Sequence, residues 1–374
     1  MREDLKGEIT ELRGMRFPFG MLIVIYHYTN YFSDYETTNW VLLEDLSFVL
    51  DFFFILSGVV MAHVYSDLSR FRYGKYINRR FFRIYPLHLL TFLFLAGIAF
   101  VGVKLGFTPS HPERYDFDTA WMHLTMVHAW YFDPVITFNV PSWSVSAEWF
   151  VYLIFPVFLV LKDRVSARTL LILAALTAAG WYAATLYVTG YSYPNLVGFA
   201  LFRVVADFFL GFALREYLRT GSLPFTRFRH ASRYYAVAMG SFGLLGFPPI
   251  LGMTAFIWFV ASAYERILAG RHDAFFDNDR FNRLGDVAFA QYITHMPFAI
   301  FATNVIEKVS GITLPGPSDN LAVVAIFLFL IAGSTFVAWV THHFVEQPCA
   351  IYGPKLVEKG LFWRKRERQN PHIS

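Results

Sequence analysis

The sequence predicts an all-α polytopic membrane protein with about ten transmembrane helices, one short external or re-entrant helix, and both termini cytoplasmic. Three observations lead there. The 374-residue chain is 56% apolar and only 16% charged, outside the soluble globular range. Apolar stretches of membrane length alternate with short polar connections from about residue 16 to residue 346, which leaves one integral-membrane domain over 1–374. Lysine and arginine, finally, crowd every second connection. Four lie in the first sixteen residues, and the stretches around 70–83, 162–168, 215–233, 266–283 and after 354 carry six, three, five, four and six. The intervening connections hold only Lys104, Arg114 and Lys308.

Taken in order, the spans run at roughly 15–33, 46–66, 82–105, 145–162, 168–189, 196–218, 233–247, 249–268, 285–306 and 321–345, each near the ~20 residues that cross about 30 Å of hydrocarbon. The charge asymmetry orients them by the positive-inside rule. It also assigns 119–132, "TAWMHLTMVHAWYF". The connections on both sides of this segment are external, so it does not cross and is expected to lie buried against protein. Residues 1–15 read as a cytosolic leader without a signal-peptide cleavage pattern. Residues 347–374 read as a cytosolic basic tail, lying on the anionic inner leaflet or disordered. The net charge of +4 follows this topology and implies membrane lipid as a partner, not nucleic acid. A single cysteine, Cys349, forms no intrachain disulfide, and no Cys/His group has zinc-ligand spacing, so no metal is expected. Neither a repeat of 20–50 residues nor a matched pair of broken helices points to an inverted-repeat transporter.

Ionisable residues inside the spans carry the functional argument, because they are costly in lipid and mark wet or reactive sites. Arg16 and His27 are eleven residues apart on the first span, so they share a face about 16 Å apart, Arg16 at the cytoplasmic mouth and His27 near mid-membrane. Asp51, a few residues into the second span, reaches a similar depth and is a candidate to orient the imidazole. Arg79, Arg80 and Arg83 begin the third span, and Arg79 and Arg83 project from a similar face as a clamp for a phosphorylated cytosolic ligand. In "PSWSVSAEWFVY", Trp143, Ser144, Ser146, Glu148 and Tyr152 resemble a sugar-binding rim, an aromatic platform beside hydroxyls and a carboxylate. His295 is a second mid-membrane candidate. Each has a plain structural alternative: arginines as topological anchors, histidines and Asp51 as hydrogen-bonding core, serines as helix caps. Arg203 and Asp207, at i and i+4, are expected to neutralise one another, and Ser57 and Gly58 to allow close helix packing.

Six stretches, in this order, resemble the bacterial membrane-bound acyltransferase family 3. They are "GMRFPFGMLIVIYH", "DFFFILSG", "RRFFRIYP", "PSWSVSAEWFVY", "YITHMPF" and "FVEQP", and together they cover essentially the whole chain. Trp149 stands where the family commonly has a second acidic residue, Gln347 where it has arginine, and Ala288 and Ala290 where small hydroxyl residues occur. The hydrolase-like domain fused to some relatives is not expected here. The resemblance implies an inner-membrane O-acyltransferase that moves an acyl group, acetyl from acetyl-CoA or another acyl-CoA, onto a hydroxyl of a carbohydrate or glycan acceptor, lipid-linked or free. It implies His27, Asp51 and Glu148 as catalytic residues and Arg16, Arg79, Arg80 and Arg83 as the acyl-CoA site. Trp143, Ser144, Ser146, Tyr152 and His295 then fall to the acceptor. The competing class is a proton-coupled transporter or flippase for a lipid-linked glycan, with His27, Asp51 and His295 as its relay.

Overall fold

A computed structural model describes residues 10–32, 46–65, 67–104, 106, 112–130, 136–189, 199–245, 247–271, 273, 275–310 and 320–369. The described residues form helices and turns without a strand. A short helix α1 (Thr10–Gly14) leads into α2 (Arg16–Phe32), followed by α3 (Val49–Val64), α4 (Tyr73–Lys104), the five-residue α5 (Ala120–Leu124), α6 (Trp143–Arg164) and α7 (Ala167–Thr189). Then come α8 (Ala200–Leu218), α9 (Ala231–Leu244), α10 (Pro249–Leu268), α11 (Asp279–Ser310), α12 (Asn320–Thr341) and α13 (Gln347–Gln369). A helix stands at each of the ten expected spans, and among the described residues five stretches are long and apolar enough to cross a membrane. The external faces of several helices carry large apolar side chains such as Leu176, Val188, Leu328 and Phe336, the pattern of a lipid-facing surface.

Boundaries moved where amphipathic turns extend a helix beyond its apolar run. Helix α4 starts nine residues before the expected span and α11 six, because the polar first turns continue the helix without needing lipid. The start of the tail is helical rather than loose. A π-helical turn at His342–Glu346 joins α12 to α13, and α13 lies along α4, where Asn78 donates to the Pro354 carbonyl and Lys75 faces Glu358. The leader's last residues are docked too. Arg13 grips Asp286 of α11 with two 2.6 Å hydrogen bonds. Leader residues 1–9, the tail end 370–374 and parts of the connections at 33–45, 107–111, 131–135, 190–198 and 311–319 lie outside the described residues.

Within the described residues, the segment expected not to cross holds no helix of membrane length. Only Ala120–Leu124 is α-helical, preceded by 3₁₀ turns at Pro112–Tyr115 and Phe117–Thr119, far short of a span. It folds against α4, with His123 and His128 fully buried. The tightest helix crossing joins α3 to α8 at Gly58 and Gly211. A Cβ on Gly58 would collide with the Phe208 carbonyl, and one on Gly211 with the Ile55 carbonyl, so the two backbones touch as small residues permit in membranes. Gly58 therefore packs as expected, while Ser57 turns elsewhere.

Candidate active site

Helices α2 and α11 pack side by side and bring His27 to His295, 268 residues away in sequence. The His27 Nδ1 and the His295 Nε2 are 2.8 Å apart, with ring planes within 6° of parallel. His295 Nδ1 lies 2.6 Å from the Tyr292 carbonyl, and the Tyr28 hydroxyl donates to the carbonyl of His295 itself. These bonds fix the tautomers. A carbonyl only accepts, so His295 carries its proton on Nδ1 and presents a lone pair at Nε2. His27 must then donate from Nδ1, which leaves the lone pair of His27 on Nε2. That nitrogen accepts no hydrogen bond from the described residues.

A cavity of about 150 Å³, its walls mostly apolar with a set of charged and hydroxyl side chains, opens between α2, α3, α4, α6 and α11. Arg16, Arg80 and Arg83 stand in its wall with Ser57, Ser144, Glu148, Tyr152 and Tyr292. Ser57 and Tyr152 both donate to one oxygen of Glu148, at 2.8 and 2.6 Å, so the carboxylate is held as an acceptor. Arg80 lies 5.9 Å over the rings of both Tyr65 and Tyr152. Ser144 meets the Tyr292 hydroxyl at 2.7 Å, and Tyr292 donates to the Pro141 carbonyl. His27 itself is not in the wall; the cavity and the histidine pair meet through Tyr292, whose hydroxyl lines the one and whose carbonyl holds the other.

Several sequence expectations are corrected by these contacts. Asp51 does not orient His27: fully buried, it takes a two-pronged ion pair from Arg203 at 2.5 and 3.1 Å. Arg203 thus reaches across to α3 instead of being neutralised by Asp207 alone, because a buried guanidinium gains more from two parallel bonds than from one neighbour on its own helix. Trp143 is no open platform; it is buried against Phe54 and under Arg203. Ser146 is a staple, accepting from the Ala129 N–H and donating to the Met126 carbonyl. Arg79 is exposed and outside the cavity, while Arg80 and Arg83 line it. The reason is angular, since Arg83 lies about 60° from Arg80 around the helix and Arg79 falls on the outer flank. Arg83 is also not free, being ion-paired with the buried Glu346, which His342 holds from the other side.

Tyr292, Ser57 and Glu346 were missed as site residues. The motifs that contain them were visible, but side-chain direction was not. A larger cavity of about 850 Å³ sits where the ends of α8, α9 and α10 meet, with five arginines in its wall. Three of these are already engaged, Arg227 by Glu265, Arg233 by Asp273 and Arg266 by Ser232, so it reads as an ion-paired cleft.

An α-helical membrane protein with a hydrogen-bonded histidine pair beside a cavity that three arginines enter is thereby defined. Residues 9–343 match acyltransferase family 3, described as an acyltransferase domain, and the chain belongs to that family. The acyltransferase MdmB of Streptomyces mycarofaciens is 37% identical to it over 135 residues, covering 36% of this chain and 33% of the relative. The matched stretch therefore spans about a third of that relative. No solved structure matches.

Proposed function

We propose that this protein is an inner-membrane O-acyltransferase that moves an acyl group, acetyl from cytosolic acetyl-CoA, to a hydroxyl of a carbohydrate or glycan acceptor at or across the membrane. Ten spans with both termini cytoplasmic put Arg16, Arg80 and Arg83 at the donor side, and Arg79 near the mouth. The single observation that carries the reading is the 2.8 Å contact of His27 Nδ1 with His295 Nε2, with His295 Nδ1 on the Tyr292 carbonyl. It leaves His27 with one basic nitrogen, Nε2, at mid-membrane depth.

In this reaction the acceptor oxygen attacks the thioester carbonyl and its proton passes to His27 Nε2. The tetrahedral intermediate expels the CoA thiolate, which takes that proton back. His295 acts on the imidazolium through its Nε2 lone pair, with the Tyr292 carbonyl holding its far side. It does with a neutral dipole what a carboxylate does in other base–orienter pairs. A nucleophilic route through acyl-His27 would use the same Nε2. Glu148, Ser144 and Tyr152 are the polar groups offered to the acceptor. The cavity of about 150 Å³ suits the end of the pantetheine arm, with the thioester carried past Tyr292 toward His27 Nε2, and the nucleotide of the donor then extends toward the arginine mouth.

The test is purified protein in nanodiscs with radiolabelled acetyl-CoA, comparing wild type with His27→Ala for labelled protein and acetyl-CoA breakdown. His27-dependent label or turnover supports the reading. Turnover unchanged in the variant removes His27 from the chemistry, and movement of a lipid-linked glycan without acyl-CoA consumption supports the flippase class instead.

A further inference from the structure

Away from the histidine pair, His88 of α4 and His123 and His128 of the non-crossing segment come together, with exposures of 1, 1 and 2%. Their rings lie within 19° of parallel, His123 and His128 with centroids 4.1 Å apart and His88 and His128 5.6 Å apart. On each ring Nε2 is hydrogen-bonded. His88 Nε2 meets the His123 carbonyl at 2.9 Å, His123 Nε2 the Thr137 hydroxyl at 2.8 Å, and His128 Nε2 the Ser142 hydroxyl at 3.1 Å. On each ring Nδ1 is buried and has no partner.

Proton bookkeeping makes the Nδ1 atoms of His88 and His123 lone-pair donors. His88 faces a carbonyl, so its proton is on Nε2. Thr119 gives its proton to the Asp116 carbonyl and so accepts from Thr137, 2.9 Å away. Thr137 has then used its only proton and must accept from His123, which places that proton on Nε2 as well. The Ser142 hydroxyl can accept from His128 Nε2 or donate to it, and accepting is what frees the His128 Nδ1 lone pair. With Ser142 accepting, three buried imidazoles hold unpaired Nδ1 acceptors in one place, which burial disfavours unless something binds them. Each far nitrogen is meanwhile held by a carbonyl or hydroxyl, the arrangement that orients metal-ligating histidines.

We infer that His88, His123 and His128 form a zinc site that clamps the non-crossing segment to α4. One ring nitrogen of each lies within 4.8 Å of the others, and tetrahedral zinc draws its nitrogens to about 3.3 Å apart, so loading fans the parallel rings inward by roughly an ångström. Neutral imidazoles without thiolate or carboxylate suit a borderline divalent metal such as zinc. A three-histidine set leaves the fourth position to water. Sequence spacing gave no sign of it, because the third ligand comes from another helix, 35 residues before His123. Since Ser142 sits directly before α6, the clamp fixes the entry of the helix that bears Ser144 and Glu148. The inference is independent of acyl transfer.

The experiment uses tag-free full-length protein in nanodiscs, as wild type and as His123→Gln/His128→Gln. After zinc loading and desalting, elemental analysis is expected to find about one zinc per wild-type chain, removable by chelator and absent from the variant. Zinc should raise the thermal midpoint of the apo wild type and leave the variant unmoved. Cobalt should give visible d–d bands in the wild type only. A wild type that holds no zinc, or a folded variant that holds as much, overturns the site. If the double variant does not fold, His88→Gln and chelator-treated wild type read the same zinc count and midpoint shift.

Discussion

His27 on α2 donates from Nδ1 to Nε2 of His295 on α11 across 2.8 Å, with the two rings within 6° of parallel. The pair answers how an imidazole is positioned where no carboxylate reaches it. Removing the base and removing its orienter should therefore differ. His27→Ala is expected to lower kcat by roughly 10²–10⁴-fold with little change in the acyl-CoA KM. His295→Ala is expected to fall short of that loss and to shift the pH–rate profile, because His27 is then free to take either tautomer. Steady-state kinetics across pH on both variants checks this, and equal losses with unchanged profiles would refute the orienting role.

Asp51 and Arg203 give the opposite kind of prediction, one of stability. Breaking a buried ion pair by removing one partner costs about 3–5 kcal/mol, and here the two directions are unequal. Arg203→Met leaves the Asp51 carboxylate buried without its cation, whereas Asp51→Asn still leaves Arg203 a second acid, Asp207, beside it. Thermal unfolding in nanodiscs should rank Arg203→Met below Asp51→Asn. Variants of Asp51 that fold should retain acyl transfer. Loss of activity at full stability would restore Asp51 to the chemistry.

The helix positions and the charge asymmetry were legible because each rests on local pattern, apolar length in one case and lysine and arginine counts in the other. Glu148 and Tyr152, one turn apart on α6, share a cavity wall for the same reason, being related by periodicity within one helix, whereas of Arg16 and His27 only Arg16 lines that cavity. What was not legible was pairing between helices. Nothing in the sequence distinguishes Asp51 meeting His27 from Asp51 meeting Arg203, and nothing says which flank of α4 faces inward, so Arg79 was grouped with Arg80 and Arg83 although only those two line the cavity. Trp143 and Ser146 failed for a related reason. An aromatic beside hydroxyls looks like a rim until helix packing buries it.

The arginines of α4 separate by that same geometry. Arg80→Ala should raise the acyl-CoA KM in a salt-sensitive way, since it removes a cation from the cavity wall. Arg79→Ala should leave KM near wild type. Glu346→Gln, which releases Arg83 from its ion pair, should lower KM if Arg83 reaches the donor. Donor titrations at two ionic strengths decide among these, and an Arg79 effect as large as that of Arg80 would place the phosphates outside the cavity.

The crossing of α3 and α8 is a sharper test of packing. Gly58→Ala and Gly211→Ala each put a methyl group into a carbonyl of the facing helix. Overpacking of this kind costs about 1–3 kcal/mol. Gly180→Ala, with open space around it, should cost nothing. Thermal midpoints for the three variants provide the comparison.

Acid stability follows from Asp273, in the connection after α10. Burial works against its charge, but Arg233 and the Phe275 N–H hydrogen-bond the carboxylate and hold it below the usual carboxylate range. A lowered folded value means that this stabilisation is full above the ordinary carboxylate pKa and is lost as pH falls through the lowered one. Asp273→Asn should therefore melt below wild type at neutral pH, and the gap should close on acidification. The sign is what matters. A gap that widened toward acid would mean that Asp273 is protonated in the folded protein, and that Arg233 is held by something other than its charge.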